Sequence, residues 1–144
     1  MIVAYGGARF IRELLTRWAG KNEVGNKRFA EQDAVGVYAD FFENEKVVRA
    51  TCDDYRAGAE EDIELEKKDQ DEGRKLESPT LLIYAADVIG KRWDMMKVWG
   101  EWVSEKDLLK EVGIGEGIGH FVPEEAPEKT AEAIQNFYSK IAAK

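Results

Sequence analysis

The sequence predicts an α/β fold in which a helical region is followed by a βαβα unit with a short parallel sheet. Helical periodicity dominates the first part of the chain, where no alternating strand pattern precedes residue 76. The stretch SPTLLIYAA (78–86) is then a continuous apolar run, typical of a strand buried on both faces. A helix pattern opened by Pro127 closes the chain. We therefore divide the chain into a helical region with a connector (1–75) and a βαβα region (76–144).

Three amphipathic helices are predicted in the first region. The first is expected to end before Gly20, and the stretch KNEVGNK (21–27) is predicted to be a loop. Asn44 is the expected N-cap of the third helix. The apolar positions of the three helices are Phe10, Ile11, Leu14, Leu15 and Trp18; Ala34, Val37, Tyr38 and Phe41; and Val48, Cys52, Tyr55 and Ala59.

A charge run, EEDIELEKKDQDE (60–72), separates the two regions. It holds eight acids in 13 positions but lacks the Asp-x-Asp-x-Asp-Gly spacing of a calcium loop. Charge runs of this kind are usually solvated. We therefore predict a solvated helix or connector here.

The second region is predicted to alternate strands and helices. The apolar run at 78–86 is its first strand, and LLKEVGI (108–114) is its second. Asp94 is expected to cap the helix between them, and Pro127 to open the last helix. The expected buried positions of these two helices are Met95, Val98, Trp99, Trp102 and Val103, and then Thr130, Ile134, Phe137 and Ile141.

Composition excludes several classes of function. The 29 acidic against 21 basic residues give a net charge of −8, which disfavours nucleic acid and anionic membranes as partners. With Cys52 as the only cysteine, an internal disulfide or a thiolate metal cluster cannot form. We expect a cytoplasmic globular protein that uses no cofactor and no metal.

His120, the only histidine, lies in a glycine-rich turn after the last predicted strand. In α/β folds the carboxyl ends of strands carry functional groups, and imidazole exchanges protons near neutral pH. A lone histidine is also often structural, so both interpretations are open. Glu124 and Glu125, which follow, are predicted to serve the N-terminus of the last helix and to face solvent.

Four segments, in this order, resemble the C-terminal half of haloacetate (fluoroacetate) dehalogenases. They are DDYRAGAEEDIE, DEGRKLESPTLLIY, VIGKRWDMMKVW and GHFVPEEAPEKTAEAIQNF. These dehalogenases are α/β-hydrolases close to the epoxide hydrolases. The resemblance begins near Gly7 and implies a partial α/β-hydrolase fold. Residues 1–75 would then be its helical cap and connector, and residues 76–144 the C-terminal part of its core.

The resemblance also implies a mechanism. In the family a core aspartate attacks the substrate carbon to form an ester, and a histidine activates the water that hydrolyses it. By the matched motif His120 would be that base, and Tyr55 would donate a hydrogen bond to the leaving halide. Asp87 is a candidate for the acid that orients the histidine. Packing of the Tyr55 ring into a helical core is an equal alternative, and the substrate could be a haloacid, an epoxide or an ester.

The sequence contains neither a Gly-x-Asp-x-Gly nor a Gly-x-Ser-x-Gly nucleophile elbow. We therefore expect a truncated or split hydrolase that is inactive alone and takes its small-molecule substrate only with an N-terminal half. Exposed sheet edges are expected to favour self-association. The alternative is a non-enzymatic helical interaction module derived from the cap, which would bind its partner through apolar faces near Trp18, Phe41 and Trp99.

Overall fold

The computed structural model describes residues 1–142, so the last two residues of the second predicted region lie outside it. The chain forms two compact units. One consists of residues 1–18 and 30–74, and the other of residues 19–29 together with the chain from residue 75 onward. In the described part of the chain, no helix combines the length and apolar character needed to cross a membrane.

The first unit is helical. The helices of the N-terminal half are α1 (Ile2–Tyr5), α2 (Gly7–Trp18), α3 (Glu23–Ala30), α4 (Ala34–Phe42), α5 (Glu45–Ala59) and α6 (Glu61–Asp71). Helix α3 belongs to the second unit except for its last residue, Ala30. The prediction that Asn44 caps the third amphipathic helix is confirmed, because its side chain accepts from Lys46 N–H at 3.0 Å. The charge run forms α6, most of whose side chains are exposed, as predicted for a solvated helix.

The predicted inward face of α4 is wrong. Val37, Tyr38 and Phe41 are 49%, 38% and 62% exposed, whereas Gly36 and Ala39 are buried. Helix α4 packs against α2. A Cβ atom on Gly36 would overlap the carboxylate of Asp33, whose side chain caps this helix. A hydrophobic pattern gives little weight to glycine and alanine, so it places the buried face on the larger residues.

The loop predicted at 21–27 is also wrong in part, because α3 begins at Glu23. The side chain of Asn22 accepts from Gly25 N–H at 2.8 Å, which satisfies one of the free donors at the start of the helix. Phe29, at the other end, is buried and stacks on Phe121 with ring centroids 5.4 Å apart. Capping and a distant aromatic contact therefore stabilise a helix that contains two poor helix formers, Gly25 and Asn26.

The second unit contains the parallel pair that the sequence predicts. Within the described residues, β1 (Thr80–Ala85) and β2 (Leu109–Ile114) form a two-stranded parallel sheet, with Thr80 opposite Leu109 and Ala85 opposite Ile114. The helices of this half are α7 (Met95–Gly100), α8 (Val122–Glu125) and α9 (Pro127–Ala142). Asp94 caps α7 as predicted, accepting from Lys97 N–H at 2.9 Å.

The two faces of the sheet pack in two separate apolar clusters. This is expected of strands that are buried on both faces. Successive side chains of a strand alternate between the faces, so Leu82 and Ala85 belong to different clusters. The first cluster is formed by Leu82, Val103 and Leu109 with Met95, Met96 and Trp99 around them. The second is formed by Ala85, Ile114, Ile118, Val122 and Ala126 with Ile83 and Val112.

Two details of the predicted helices are wrong. Helix α7 ends at Gly100. Val103 instead makes an isolated parallel β-bridge with Leu76, and its side chain packs with Leu82 and Leu109. On α9 the buried residue is Ala133, while Ile134 and Ile141 are 40% and 37% exposed. Helix α9 packs on β1.

Candidate functional site

The loops that follow β1 and β2 meet at the carboxyl ends of the two strands. The N–H of Gly117, in the loop after β2, donates to Oδ2 of Asp87, in the loop after β1, at 3.0 Å. The other oxygen of this carboxylate pairs with Lys91 Nζ at 2.9 Å. The structure therefore brings Asp87 to the loop that carries His120.

The loop after β2 turns through the left-handed region at Glu116 (φ 62°) and Gly117 (φ 79°). Glycine removes the steric penalty of that conformation at the second position. The carbonyl oxygen of Gly117 accepts from Lys21 N–H at 2.8 Å and from Asn22 N–H at 3.2 Å. The turn is thus fixed on one side by Asp87 and on the other by the segment before α3.

Glu125 is buried beneath this loop, with 2% of its surface exposed. Its Oε2 accepts from Gly20 N–H at 2.7 Å and from Gly119 N–H at 2.8 Å, and its Oε1 accepts from Phe121 N–H at 3.1 Å. Removing a carboxylate from water costs on the order of several kcal/mol unless hydrogen bonds compensate. Here three backbone donors supply that compensation.

The prediction that Glu125 faces solvent is therefore wrong. An acid close to the start of a helix fits the helix dipole, and that local pattern led to the prediction. Two of its three donors lie on the loop before α8, and the third, Gly20, is distant in sequence. Each of the two segments that meet here contains a glycine, Gly20 in one and Gly119 in the other. This is the sequence signal that indicates a close approach of two backbones.

Gly20 and Gly119 pass each other backbone to backbone. A Cβ atom on Gly20 would overlap the Gly117 carbonyl oxygen and the Gly119 nitrogen. A Cβ atom on Gly119 would overlap the Gly20 nitrogen. Only glycine fits at either position, and the Glu125 carboxylate lies where the two segments cross.

His120 lies in a bend between Gly119 and Phe121, and its side chain is exposed. Its ring meets that of Phe121 edge-on, with centroids 5.1 Å apart, and Phe121 in turn stacks on the buried Phe29. The amides on both sides of His120 are the ones that Glu125 binds. The backbone that carries the imidazole is therefore held on both sides of His120.

Asp87 is held in its charged form. Hydrogen bonding from the Gly117 N–H, and then the ion pair with Lys91, places the pKa of Asp87 below its ordinary value of 3.8. A carboxylate that binds the backbone of this loop constrains the position of His120 indirectly. Direct orientation of the imidazole by Asp87 stays a prediction.

Tyr55 lies on α5, in the first unit, and is 67% exposed. Core packing, the alternative for this ring, is therefore wrong. On the same helix Val48 is buried and Cys52 and Ala57 are half-buried, so the Tyr55 ring lies off the inward face of α5. The phenol is free of a packing role, and its binding role stays a prediction.

A hollow of about 620 Å³ lies in the second unit between β2 and α9. Lys110, Val112, Ala133 and Phe137 are among its lining residues, and His120 is not. It runs along β2 as far as Ile114, Gly115 and Glu116, where the loop after β2 begins, but it stops short of the His120 side chain. Within residues 1–142, no group of three His, Cys, Asp or Glu side chains is placed to hold a metal ion.

Comparison with known proteins supports the α/β-hydrolase fold. No protein-family model matches the chain. A crystal structure from Nostoc sp PCC 7120, of a protein provisionally described as an alpha/beta hydrolase, matches with a TM-score of 0.76 and 31% sequence identity. The match covers 95% of this chain and 43% of the Nostoc chain, so the present chain spans less than half of that structure. The chain thus has part of an α/β-hydrolase fold, and the similarity supports the α/β-hydrolase superfamily.

Proposed function

We propose that this chain is the cap and C-terminal core part of a hydrolase of the α/β-hydrolase superfamily, with His120 as its general base. The substrate class that we favour is that of haloacetate dehalogenases and epoxide hydrolases, on the resemblance of the Gly119-His120-Phe121 segment. The proposal rests mainly on one observation. An exposed imidazole is held, through its flanking amides, in a loop at the carboxyl ends of two parallel strands.

The proposed reaction has two steps, and the nucleophile is a carboxylate from polypeptide outside this chain. In the first step a carboxylate oxygen bonds to the substrate carbon, and the carbon–halogen bond breaks with its electron pair leaving on the halide. In the second step His120 takes a proton from water, and the hydroxide adds to the ester carbonyl. The alcohol product leaves with the proton that His120 returns, which leaves a carboxylic acid on the enzyme. This acid releases the second proton of the water to solvent, and the carboxylate is restored.

Tyr55 would act in the first step only. A phenol donates a hydrogen bond while it stays neutral near pH 7, which suits a leaving halide or an epoxide oxygen. The exposure of its ring supports this role, because the side chain has no packing function to lose. Tyr55→Phe should slow halide release and leave the free energy of unfolding within about 0.5 kcal/mol of the wild type.

The test supplies the missing nucleophile. This chain would be produced together with the part of the Nostoc protein that it does not match, and the complex would be assayed for halide, diol and carboxylate release. The three products correspond to haloacid, epoxide and ester substrates. Steady turnover of one class by the complex, with none by either part alone, is the expected result.

His120→Ala then separates the two steps. Without the base the first step still runs, so we expect one equivalent of halide per enzyme and a stable increase in protein mass. Turnover should fall by a factor of about 10²–10⁴. Glu132→Gln, an exposed change on α9, is the matched control and should turn over normally. Undiminished turnover in the His120→Ala complex would exclude histidine as the base.

The second candidate function, a helical interaction module, is supported by the exposed apolar face of α4. Phe41 is 62% exposed and Val37 49% exposed on one side of that helix. An amphipathic partner helix could pack on this face. A partner that the wild type and His120→Ala capture equally, and that Phe41→Ser no longer captures, would favour this function over hydrolysis.

A further inference from the structure

We propose that Glu125 is a positioning residue that fixes how His120 is presented, by binding the amides on both sides of it. The functional meaning of that positioning rests on the proposed role of His120 as a base. The geometric part of the proposal does not depend on that role. It can be tested on this chain without any substrate.

The first argument is burial. Among the described residues, Glu125 is the charged side chain that is buried. A buried carboxylate is stable only when its oxygens accept hydrogen bonds, so its donors show what it organises. All three are backbone amides, and two of them, from Gly119 and Phe121, flank His120.

The second argument is the number of acceptors. The two amides that flank His120 donate to different oxygens of Glu125, Gly119 to Oε2 and Phe121 to Oε1. A carboxylate accepts at both oxygens, whereas an amide side chain accepts at one and donates at the other. Glutamine would therefore leave one flanking amide facing another donor. The site requires an acid and not merely a polar side chain of the same length.

The third argument is that the same carboxylate connects the His120 bend to a segment that is distant in sequence. The Gly20 N–H shares Oε2 with Gly119, so the same carboxylate ties the His120 bend to the segment that precedes α3. Bound in this way, the backbone of residues 119–121 has little freedom to rotate. The carboxylate determines the direction in which an exposed side chain leaves that backbone.

The chain has one histidine, which makes the test direct. The Cε1–H and Cδ2–H signals of its imidazole are the only ones of their kind in an NMR spectrum. The wild type should give one sharp pair. In Glu125→Gln we expect the pair to shift and to broaden or split, because the bend takes more than one conformation. Glu132→Gln, which removes the same charge at an exposed position, should reproduce the wild-type spectrum.

Amide exchange distinguishes positioning from general stability. In Glu125→Gln the amides of Gly119 and Phe121 should exchange at least about 10-fold faster, while those between β1 and β2 keep their protection. Unchanged imidazole signals, or a uniform loss of protection throughout the chain, would overturn the proposal. If Glu125→Gln does not fold, Glu125→Asp tests the proposal instead. Aspartate keeps both acceptor oxygens but places them one methylene farther from the amides. The imidazole signals and the exchange of the Gly119 and Phe121 amides should then change as expected for Glu125→Gln, and wild-type imidazole signals would overturn the proposal.

In the completed enzyme the same variant reports on function. A misplaced base should lower kcat by about 100-fold, leave KM nearly unchanged, and keep the single-turnover halide release. Failure of the proposed function is seen separately. If His120→Ala turns over normally while the NMR and exchange results hold, Glu125 positions a histidine that is not the base.

Discussion

Asp87 and Gly117 join the two loops that follow the parallel strands, through a hydrogen bond of 3.0 Å from the Gly117 N–H to the Asp87 carboxylate. One loop follows β1 and the other carries His120, so this bond connects neighbouring strand ends. It also holds the left-handed turn in place at its second residue. The carboxylate and the turn therefore depend on each other.

This bond predicts an acid-sensitive contribution to stability. The pKa of Asp87 is lowered in the folded chain, so its contribution is complete above the ordinary value of 3.8 and is lost as the pH falls through the lower folded value. Asp87→Asn should unfold more easily near neutral pH and should lose less stability on acidification. Urea unfolding from about pH 6 to about pH 2 measures both effects. Asp107→Asn, at an exposed position, is the control, and an acid dependence equal in the two variants would contradict the prediction.

The close approach of Gly20 and Gly119 predicts that a glycine-to-alanine substitution destabilises the chain at position 119. The same substitution at Gly100, which lies away from this approach, is expected to stabilise it. Gly119→Ala places a methyl group against the Gly20 backbone, and we expect it to lower the free energy of unfolding by about 1–3 kcal/mol. Around Gly100 a Cβ atom would meet nothing within 4 Å. Gly100→Ala should therefore raise the free energy of unfolding by about 0.4–1 kcal/mol. Denaturant unfolding of both variants tests the pair, and similar values for the two would argue against the crossing.

Tyr84 and Glu111 form a hydrogen bond of 2.9 Å between β1 and β2. Burial first, and then this bond, raises the pKa of the Tyr84 phenol above 10.0. The contribution of the neutral Tyr84 phenol to folding stability is therefore present below pH 10.0. It is lost as the pH rises through the higher pKa of the folded chain. Tyr84→Phe should lose about 0.5–1.5 kcal/mol near neutral pH and should show a weaker alkaline dependence of stability. An unchanged free energy of unfolding of Tyr84→Phe at neutral pH would show that the bond between Tyr84 and Glu111 does not stabilise the chain.

The small sheet predicts self-association. Within the described residues β1 and β2 pair only with each other, and sheets of fewer than about three strands are marginal alone. Unpaired strand edges favour pairing with another copy. We expect the apparent mass in sedimentation experiments to rise with protein concentration, and a fluorescent dye that reports apolar surface to bind. A monomer at every concentration, melting sharply and without dye binding, would contradict this.

The sequence predicts the order of the elements well, because local signals determine them. The capping residues Asn44 and Asp94 mark their helices correctly, and the apolar run at 78–86 is a strand. These features depend on neighbours a few residues away. Helix α3 was missed because its stability depends on the stacking of Phe29 on Phe121, which are far apart in the chain.

The meeting of the two loops after β1 and β2 is predictable from the sequence. The positions of Asp87 and His120 after neighbouring strands place them at one edge of the sheet, and the fold follows this rule. The burial of Glu125 could not be predicted, because it is created by amides from two separate segments. The inward face of α4 is predicted wrongly because its buried residues are the small Gly36 and Ala39, to which a hydrophobic pattern gives little weight.

The crossing of Gly20 and Gly119 over Glu125 has a consequence for how this chain can evolve. None of the three positions can change alone without harming the other two, because each glycine makes room for the other and the acid binds both amides. Homologous sequences should therefore keep or replace the three together. A homologue with a larger residue at either glycine position should also lack the acid, because the two backbones could no longer approach closely enough for one carboxylate to bind both amides.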